Sequence, residues 1–341
     1  MARINFDEGV ELLTNGDLLE LGKTADKIRH EKFGDVVTFI IDRNINYTNI
    51  CKNECKFCAF WRRKNHKDAY VLSHEEILEK VRETVEAGGT QVMIQGGLNP
   101  DLPLAYYEEM LRGIKKNFNV TIHSFTATEI LHFAQIEGIT ILDVLKRLQA
   151  AGLDSLPGGG AEILVDEVRR KISPQKIMTD DWLKVMRLAH SIGMKTTATM
   201  VIGFGETYAQ RLEHMEKIRR LQDETDGFRA FITWTYQPKN TILGGEKINS
   251  WDYMKTLAVT RIFLDNIDHI QGSWVTQGER IGQLTLAFGA DDLGSIMLEE
   301  NVVRAAGTAF EMSIDKMVKL IRGAGKIPAQ RNTKYEILKR F

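Results

Sequence analysis

Apolar residues along the chain follow two spacings in turn, and these predict alternating strands and helices. Short apolar runs typical of buried strands alternate with stretches whose apolar residues recur every three or four positions, as on one face of a helix. The predicted strands cover residues 36–41, 91–95, 120–125, 153–156, 196–202, 228–234, 267–275 and 284–288. The predicted helices between them cover residues 75–87, 105–117, 141–151, 181–192, 210–223 and 251–264.

Strand–helix units that follow one another in this way predict a closed parallel (β/α)8 barrel of the TIM type, an α/β fold. The alternative is an open barrel of six strands with an appended C-terminal part. Helical spacing within residues 7–30 also predicts helices ahead of the first strand. We therefore expect an N-terminal helical extension over residues 1–34, the barrel over residues 35–300, and a C-terminal helical extension over residues 301–341 that packs on the barrel.

Polar and glycine-rich segments follow the predicted strands, which is where parallel barrels carry their chemistry. These segments are residues 51–58 after the first strand, 95–97 after the second, 123–126 at the end of the third, 155–160 after the fourth, 203–207 after the fifth, 233–238 after the sixth and 289–292 after the eighth. Because the carboxyl ends of parallel strands meet at one rim, we expect these segments to surround a common mouth.

The overall composition is that of a globular chain, with 341 residues of which 43% are hydrophobic and 27% charged. The net charge is −1, so the chain lacks the broad positive field that a nucleic-acid backbone requires. No apolar run approaches the roughly 18 residues of a membrane span, and the first residues contain no apolar signal core. We therefore expect a cytoplasmic protein that binds neither nucleic acid nor membranes.

All the cysteines of the chain, Cys51, Cys55 and Cys58, lie within one short segment. An odd number of neighbouring cysteines does not form a disulfide framework, and the spacing Cys-x3-Cys-x2-Cys predicts a metal site. Three thiolates on one loop suit three corners of an iron–sulfur cube and leave the fourth iron open. The alternatives are a structural zinc with His66 as fourth ligand, a thioredoxin-like redox pair of Cys55 and Cys58, and inert buried thiols.

Further segments complete a recognisable pattern around these cysteines. They are Tyr-Thr-Asn-Ile-Cys at 47–51, Phe-Cys-Ala-Phe at 57–60, Gln-Gly-Gly-Leu-Asn-Pro-Asp-Leu at 95–102, Pro-Gly-Gly-Gly-Ala-Glu at 157–162, Leu-Gln-Asp-Glu-Thr at 221–225 and Phe-Ile-Thr-Trp-Thr-Tyr-Gln-Pro at 231–238. Together they resemble the radical S-adenosylmethionine (SAM) superfamily, in the branch of the menaquinone futalosine-pathway enzymes and the deazaflavin synthases. The segments at 95–102 and 231–238 most resemble members that cyclise dehypoxanthine futalosine.

The resemblance implies a [4Fe–4S] cluster whose open iron binds SAM, and one-electron cleavage of SAM to methionine and a 5′-deoxyadenosyl radical. In members that cyclise dehypoxanthine futalosine, the implied radical takes the C4′ hydrogen of the ribose, and the carbon radical attacks the benzoate ring. The electron donor implied is a flavodoxin or ferredoxin. One alternative is the sibling activity that adds an adenosyl group to an enolpyruvyl benzoate. A second is a non-catalytic protein with a zinc or iron–sulfur loop.

The resemblance also implies SAM-binding roles, each beside a purely structural interpretation. Gln95, Gly96 and Gly97 match the place where the superfamily binds the methionine amino group, although glycines also form ordinary strand-end turns. The further candidates for SAM contacts are Ser155, Gly158, Gly159, Glu162 and Arg169. Their structural alternatives are a plain glycine loop, a carboxylate at a helix N-terminus and a solvated helix charge.

Catalytic and substrate-binding candidates lie after the third and sixth predicted strands. His123 and Thr126 are candidates for contacts to the ribose hydroxyls, and His123 for accepting the final proton; a buried, hydrogen-bonded histidine is the alternative. The candidates for the wall around the aromatic substrate are Trp234, Tyr236 and Gln237, with core packing as the alternative. On charge alone, Arg280 is a candidate partner of the benzoate carboxylate.

Two further features concern the partner and the substrate. The basic run at residues 62–67 is either a solvated loop or a docking site for an acidic electron donor. Phe204 lies where a histidine is common in the branch that this chain resembles. If that histidine serves the substrate, we expect this chain to handle its substrate differently at that point.

Overall fold

The computed structural model describes residues 3–341 and shows strands alternating with helices. The strands are β1 (Val36–Ile40), β2 (Asp42–Ile45), β3 (Gln91–Ile94), β4 (Thr121–Ile122), β5 (Thr196–Ile202), β6 (Phe228–Thr235), β7 (His269–Gln271), β8 (Asp292–Ser295), β9 (Ile327–Arg331) and β10 (Ile337–Arg340). The helices are α1 (Phe6–Asn15), α2 (Leu18–Phe33), α3 (His74–Glu86), α4 (Leu104–Asn117), α5 (Ala127–Glu137), α6 (Ile141–Ala151), α7 (Asp166–Ile172), α8 (Thr179–Ser191), α9 (Tyr208–Thr225), α10 (Ser250–Phe263), α11 (Glu279–Leu284), α12 (Val302–Ala305) and α13 (Ile314–Gly323), with a 3-10 helix at Thr285–Ala287.

The parallel strands close into a barrel. Strands β1 and β2 are the two halves of its first strand, and β2 pairs with β3, which pairs with β4. Isolated parallel bridges from His123 to Ser155 and from Leu156 to Thr196 continue the ring to β5. Strands β5, β6, β7, β8 and β1 then pair in that order. The closed ring confirms the predicted α/β barrel and leaves no place for the open six-stranded alternative.

The predicted helices form where apolar spacing and capping residues placed them. Helix α3, for example, begins with a capping box, in which the Ser73 hydroxyl accepts from the Glu76 backbone N–H at 3.2 Å. The N-terminal helices α1 and α2 pack on α9 and α10 at the outside of the barrel. Residues 1 and 2 of the predicted N-terminal extension lie outside the described residues.

The eighth predicted strand was wrong. Residues 284–288 end helix α11 and form the 3-10 helix, and the eighth barrel strand is β8 instead. This strand escaped the apolar criterion because it begins with a buried aspartate, Asp292, whose carboxylate pairs with Arg331 and Thr38. The polar residues at 289–292 consequently precede the strand, at the end of the barrel opposite to the predicted mouth.

The C-terminal region also differs from the prediction, because it is not wholly helical. Helices α12 and α13 are followed by β9, which pairs in parallel with β1, and by β10, which pairs antiparallel to β9. The physical reason is the break of the first barrel strand after β1. Strand β3 pairs with β2 and not with β1, so one edge of β1 has no barrel strand beside it. Strand β9 pairs with that edge and satisfies its backbone hydrogen-bonding groups. The predicted division of the chain at residues 34 and 300 stays a prediction.

Candidate active site

The cysteine segment follows β2 and is fixed by backbone hydrogen bonds to three other parts of the chain. The Cys51 N–H donates to the Arg62 carbonyl at 3.1 Å, and the Lys52 N–H donates to the Leu98 carbonyl at 3.0 Å. The Lys56 N–H reaches the carbonyl of Ile172, at the end of α7, at 3.0 Å. The loop is therefore held from both sides of the barrel mouth.

All three thiols line one cavity of about 210 Å³, called here the thiol cavity. The cavity brings together nine residues of the predicted site, the three cysteines with Gln95, Gly96, Gly97, Thr126, Gly159 and Glu162. Burial raises the pKa of Cys55 to about 12 and also raises the pKa of Cys58. Both groups therefore require a positive partner to be present as thiolates.

Glycines allow two loops to approach this cavity closely, the loop after β3 and the loop at residues 157–160. A Cβ on Gly96 would lie 2.8 Å from the Tyr47 ring, and one on Gly97 would overlap the Ile50 carbonyl next to Cys51. A Cβ on Gly158 would lie 2.6 Å from the backbone of Ala198 in β5. Gly158 therefore packs against the barrel wall rather than facing the cavity, unlike its neighbour Gly159.

Glu129, which sequence analysis did not single out, connects two loops of the thiol cavity. Its carboxylate accepts from the Gly96 N–H at 3.0 Å, the Tyr47 hydroxyl at 2.8 Å and the Thr126 N–H at 2.7 Å. Thr126 is the N-cap of α5, and its hydroxyl accepts from the Glu129 N–H at 3.3 Å. The available signal was the Thr-x-x-Glu capping box itself.

Glu162 and Lys176 form a buried ion pair at the edge of the thiol cavity. The Lys176 Nζ lies 2.8 Å from the Glu162 Oε1, and the other carboxylate oxygen of Glu162 is buried without a hydrogen-bond partner among residues 3–341. Lys176 is a second residue that sequence analysis missed, since it precedes α8 outside any motif. It also lies 5.4 Å from the centroid of the Phe57 ring.

Arg169 does not face the cavity, contrary to its predicted contact with SAM. Its guanidinium donates to the Gly160 carbonyl at 3.0 Å and to the carbonyls of Ala161 and Ile177. The Glu162 carboxylate lies 3.8 Å away. Through these hydrogen bonds Arg169 fixes the glycine loop from the side away from the cavity, so it is a positioning residue.

A second cavity of about 260 Å³, the upper cavity, opens in the barrel mouth beside the thiol cavity. The two share wall residues, including Cys58, Gln95 and Glu162. The upper cavity is lined by the predicted substrate residues Trp234, Tyr236 and Gln237.

Phe204, the departure from the family pattern, lies behind the upper cavity in an aromatic row. Its ring centroid lies 5.4 Å from that of Phe57 and 5.0 Å from that of Tyr236. The phenyl ring therefore packs between a residue of the cysteine loop and one of the substrate candidates.

His123 and Ser155 lie deeper in the barrel than expected. His123 lines a third cavity of about 110 Å³, the lower cavity, and burial holds its pKa well below the ordinary value, so it is neutral. Its Nδ1 lies 2.7 Å from the Ser155 Oγ, which donates to the Lys195 carbonyl at 2.8 Å. Ser155 is fully buried within this network, and the structure does not bring it to the thiol cavity.

Arg280 and the basic run at residues 62–67 lie at the surface or are already partnered. Arg280 is exposed on α11 and lines none of the three cavities, so the structure does not bring it to the candidate site, and its contact with a carboxylate stays a prediction. In the basic run, Arg63 forms a two-point ion pair with Glu54 at 2.7 and 2.9 Å, and the Arg62 guanidinium donates to the Ala59 carbonyl at 3.0 Å.

Family models and known proteins match this chain over nearly its whole length. Residues 45–218 match the model of the radical SAM superfamily, and residues 225–340 match that of the CofH/MqnC C-terminal region. A cyclic dehypoxanthine futalosine synthase of Halalkalibacterium halodurans is 46% identical over 99% of this chain and 92% of its own. A protein of the same name from Streptomyces coelicolor is 47% identical over 98% of this chain and 86% of its own.

Two relatives with other names are less similar. A 5-amino-6-(D-ribitylamino)uracil–L-tyrosine 4-hydroxyphenyl transferase of Archaeoglobus fulgidus is 41% identical over 96% of this chain and 97% of its own. An aminodeoxyfutalosine synthase of Thermus thermophilus is 38% identical over 98% of this chain and 92% of its own. Among solved structures, the [FeFe]-hydrogenase maturase HydG of Carboxydothermus hydrogenoformans has the same fold, with a TM-score of 0.78 at 18% identity over 98% of this chain and 77% of its own.

The residues of the thiol cavity fit the cofactors of this superfamily, a [4Fe–4S] cluster and SAM. Three sulfur donors line one volume, and binding to iron supplies the positive charge that the buried thiols need to lose their protons. Within residues 3–341, no group of three or more His, Cys, Asp or Glu side chains is arranged to hold a single metal ion. No helix in the same residues is long and apolar enough to cross a membrane. From the match over both parts of its length, the chain belongs to the radical SAM superfamily and is a radical SAM enzyme that uses a [4Fe–4S] cluster and SAM.

Proposed function

We propose that the protein cyclises dehypoxanthine futalosine in the futalosine pathway of menaquinone biosynthesis. The observation that carries this proposal is the identity of 46% and 47%, over nearly the whole chain, to two proteins named for that activity. Relatives named for other activities reach 42% and 38%. The order of these identities favours cyclisation over the sibling reactions.

The cofactors supply the radical chemistry of the proposed reaction. When bound, the cofactors would supply a 5′-deoxyadenosyl radical, formed by one-electron reductive cleavage of SAM to methionine with a flavodoxin or ferredoxin as the external electron carrier. This radical would take the ribose C4′ hydrogen, and the substrate radical would bond to the benzoate ring. The ring would then lose one proton to a base and one electron to the oxidised form of the carrier, which restores its aromaticity. The residues of the chain bind and orient the cofactors and the substrate, and they exclude water from the site.

Cys51, Cys55 and Cys58 would hold the cluster, and the loops beside them would hold SAM. Gln95, Gly96, Gly97, Gly159 and Glu162 line the same cavity as the thiols, and they are the proposed SAM-binding residues. Ser155, Gly158 and Arg169 do not line this cavity, and they would instead hold its loops in position.

Substrate would occupy the upper cavity, which shares a wall with the thiol cavity. This arrangement supports the proposal because a radical formed from SAM must meet the substrate directly, without a passage through water. Trp234 and Tyr236 give the upper cavity aromatic walls that suit a benzoate ring. Gln237 offers an amide, although its Nε2 donates to the Thr235 carbonyl at 3.1 Å.

The second candidate function is radical adenosylation of an enolpyruvyl benzoate. It is favoured by the 38% identity to an aminodeoxyfutalosine synthase over almost the whole chain. Both reactions use an aromatic carboxylic acid, so the aromatic walls of the upper cavity do not separate them.

The test supplies each substrate separately to the reconstituted enzyme with SAM and a reductant, in the absence of oxygen. With dehypoxanthine futalosine we expect 5′-deoxyadenosine and a product lighter than the substrate by two hydrogen atoms. The Cys55→Ala variant should give neither, because one cluster ligand is lost. Turnover of the enolpyruvyl benzoate alone, with an adenosylated product, would overturn the proposal in favour of the second candidate.

A further inference from the structure

The lower cavity is a chamber inside the barrel, lined by several polar residues, and the reaction proposed above gives it no role. It lies directly below the upper cavity, since both are lined by Met93, Pro157, Thr199, Trp234 and Met297. Its floor includes the C-terminal turn after β9, where the Thr333 hydroxyl donates to the Gln91 side chain at 2.8 Å. The C-terminal segment thus closes the barrel from below and leaves the chamber open toward the substrate.

Arg229, near the start of β6, is the unusual residue of this chamber. Its Nη2 donates to the Ser155 Oγ at 2.5 Å, and its Nε is buried without a hydrogen-bond partner. Among residues 3–341 no carboxylate forms an ion pair with it. Burial lowers the pKa of Arg229 to about 10, so the guanidinium is still charged at neutral pH.

The fully buried arginines of the described residues each have a carboxylate within ion-pair distance, whereas Arg229 is partly buried and has none. Arg331, in the same chamber, pairs with Asp292 at 2.6 and 3.0 Å, and Arg211 pairs with Asp252 at 2.7 and 3.0 Å. A buried charge without a counter-ion is costly, so proteins rarely keep one for packing alone. The uncompensated guanidinium of Arg229, which lines the lower cavity, therefore points to an anion that is supplied from outside the chain.

The upper cavity lacks such a charge. Of the described residues that line it, none is a lysine or an arginine, and its ionisable carboxyls are Glu162 and Glu300. The lysine of the thiol cavity, Lys176, is already paired with Glu162. The upper cavity therefore offers a substrate carboxylate no unpaired positive charge, whereas the lower cavity offers that of Arg229.

Asp42 is the group of the lower cavity that opposes an anion. Its Oδ2 accepts from the Gln91 Nε2 at 2.6 Å, and burial raises the pKa of Asp42, which favours its neutral form. The charge of Arg331 is balanced by Asp292. Of the ionisable groups that line the chamber, Arg229 is therefore the one whose charge is left uncompensated.

We propose that Arg229 binds the carboxylate of an aromatic acid substrate, whose ring passes between Trp234, Met93 and Met297 from the upper into the lower cavity. This inference rests on the proposed function, since it assigns the benzoate end of that substrate. It replaces Arg280, which lies on the outside of the barrel. It also fixes the direction of the substrate, with the carboxylate deepest and the ribose nearest to the thiol cavity.

The test compares substrate binding and turnover in the reconstituted enzyme and in Arg229→Gln, with dehypoxanthine futalosine and its carboxamide as probes. A charge-assisted pair contributes about 1.5–3 kcal/mol, so we expect Arg229→Gln to raise the Kd and KM of the acid about 10- to 100-fold. The Kd of SAM should not change. The carboxamide should bind to both proteins alike, and Arg280→Gln, the matched surface control, should behave as wild type.

Equal binding of the acid by wild type and Arg229→Gln would overturn the inference. So would an equal loss of acid and carboxamide, because that indicates a structural role. The thermal midpoint of ligand-free Arg229→Gln should equal or exceed that of wild type, since an uncompensated charge has been removed. If this variant does not fold, wild type alone decides, because it must bind the acid about tenfold more tightly than the carboxamide.

These outcomes are separable from failure of the proposed function. If dehypoxanthine futalosine binds with the expected dependence on Arg229 but gives no cyclised product, the reaction assignment fails and the carboxylate site stands. If cyclised product forms with equal KM in wild type and Arg229→Gln, the carboxylate site fails and the reaction assignment stands.

Discussion

Glu162 lies where the thiol cavity meets the upper cavity, and its charge is balanced by Lys176. Both side chains are largely buried, with 8% and 12% of their surfaces exposed. A buried pair of this kind contributes little compared with apolar packing, but losing one partner leaves the other as an uncompensated charge. The pair thus makes the wall of the site sensitive to single substitutions.

We expect Lys176→Met to lower the free energy of unfolding by about 3 kcal/mol, because the buried Glu162 carboxylate then keeps only Arg169, at 3.8 Å, as a positive neighbour. Urea titration of the anaerobic protein measures this change. The double variant Glu162→Gln/Lys176→Met should recover most of the loss. Lys64→Gln is the control, because Lys64 pairs with Asp101 at the surface and such pairs contribute about 1 kcal/mol or less. Equal losses in the Lys64 and Lys176 variants would contradict this account.

At the residue scale, spacing predicted the chemistry but not the environment. The cysteines and the glycine segments each belong to a recognisable sequence motif, so Cys51 and Gly97 could be predicted as site residues without a structure. Lys176 and Arg229 belong to no motif, and their importance comes from burial and from the partners that they have or lack. Arg280 was chosen on charge alone, which says nothing of whether a side chain points into the barrel.

Among the elements, the loops after β2 and β3 depend on each other because they touch without intervening side chains. The Gly97 N–H donates to the Thr48 carbonyl at 2.9 Å, and Gly97 lies against the backbone carbonyl of Ile50 and the Cβ of Cys51. A larger residue at this point displaces backbone rather than a flexible side chain. The position of the first cysteine is therefore set partly by the neighbouring loop.

We expect Gly97→Ala to fold but to bind less iron, because the new methyl group displaces the peptide that precedes Cys51. Iron content per chain after anaerobic reconstitution measures the effect. Gly113→Ala in α4 is the matched control, since its nearest neighbours would be Leu78 methyl groups at 3.8 and 3.9 Å. That variant should keep its iron and gain about 0.5–1 kcal/mol of stability. Full iron content in Gly97→Ala would show that the loops are independent.

Elements with regular apolar spacing could be predicted, and those stabilised by polar contacts could not. Helices α4 and α6 follow their predicted ranges closely. Strand β8 was missed because its buried aspartate is compensated by Arg331, which comes from a distant part of the chain. Strand β9 was missed because it exists only to pair with the free edge of β1, a feature that local sequence does not reveal.

Across the whole molecule, buried neutral histidines make stability depend on pH. Burial lowers the pKa of His214 to about 3 and that of His132 and His190 to about 4. Unfolded histidines titrate near pH ~6.5, so below that value the unfolded chain binds more protons than the folded one. Stability is therefore complete above about pH 6.5 and is lost progressively as the pH falls toward these lowered values.

We expect the free energy of unfolding to fall between pH 7 and pH 5, by at most about 1.4 kcal/mol per pH unit for each histidine. His214→Gln should show a shallower dependence, whatever its stability at pH 7. Urea titrations at the two pH values measure the slopes. Asn117→Gln, which exchanges one non-titrating side chain for another at an exposed position of α4, should keep the wild-type slope. An unchanged slope in His214→Gln would refute this origin of the pH dependence.

The three cavities line up along the barrel, from the thiols through the aromatic mouth to the closed lower chamber. From this order we infer that a radical generated beside the cysteines takes the C4′ hydrogen of the substrate, whose carboxylate lies deepest in the barrel. The most direct measurement uses dehypoxanthine futalosine carrying deuterium at C4′, with SAM and a reductant, and analyses the 5′-deoxyadenosine by mass spectrometry. The account predicts that the deuterium appears in 5′-deoxyadenosine while the cyclised product lacks it. Unlabelled 5′-deoxyadenosine, or a product that retains the label, would contradict it.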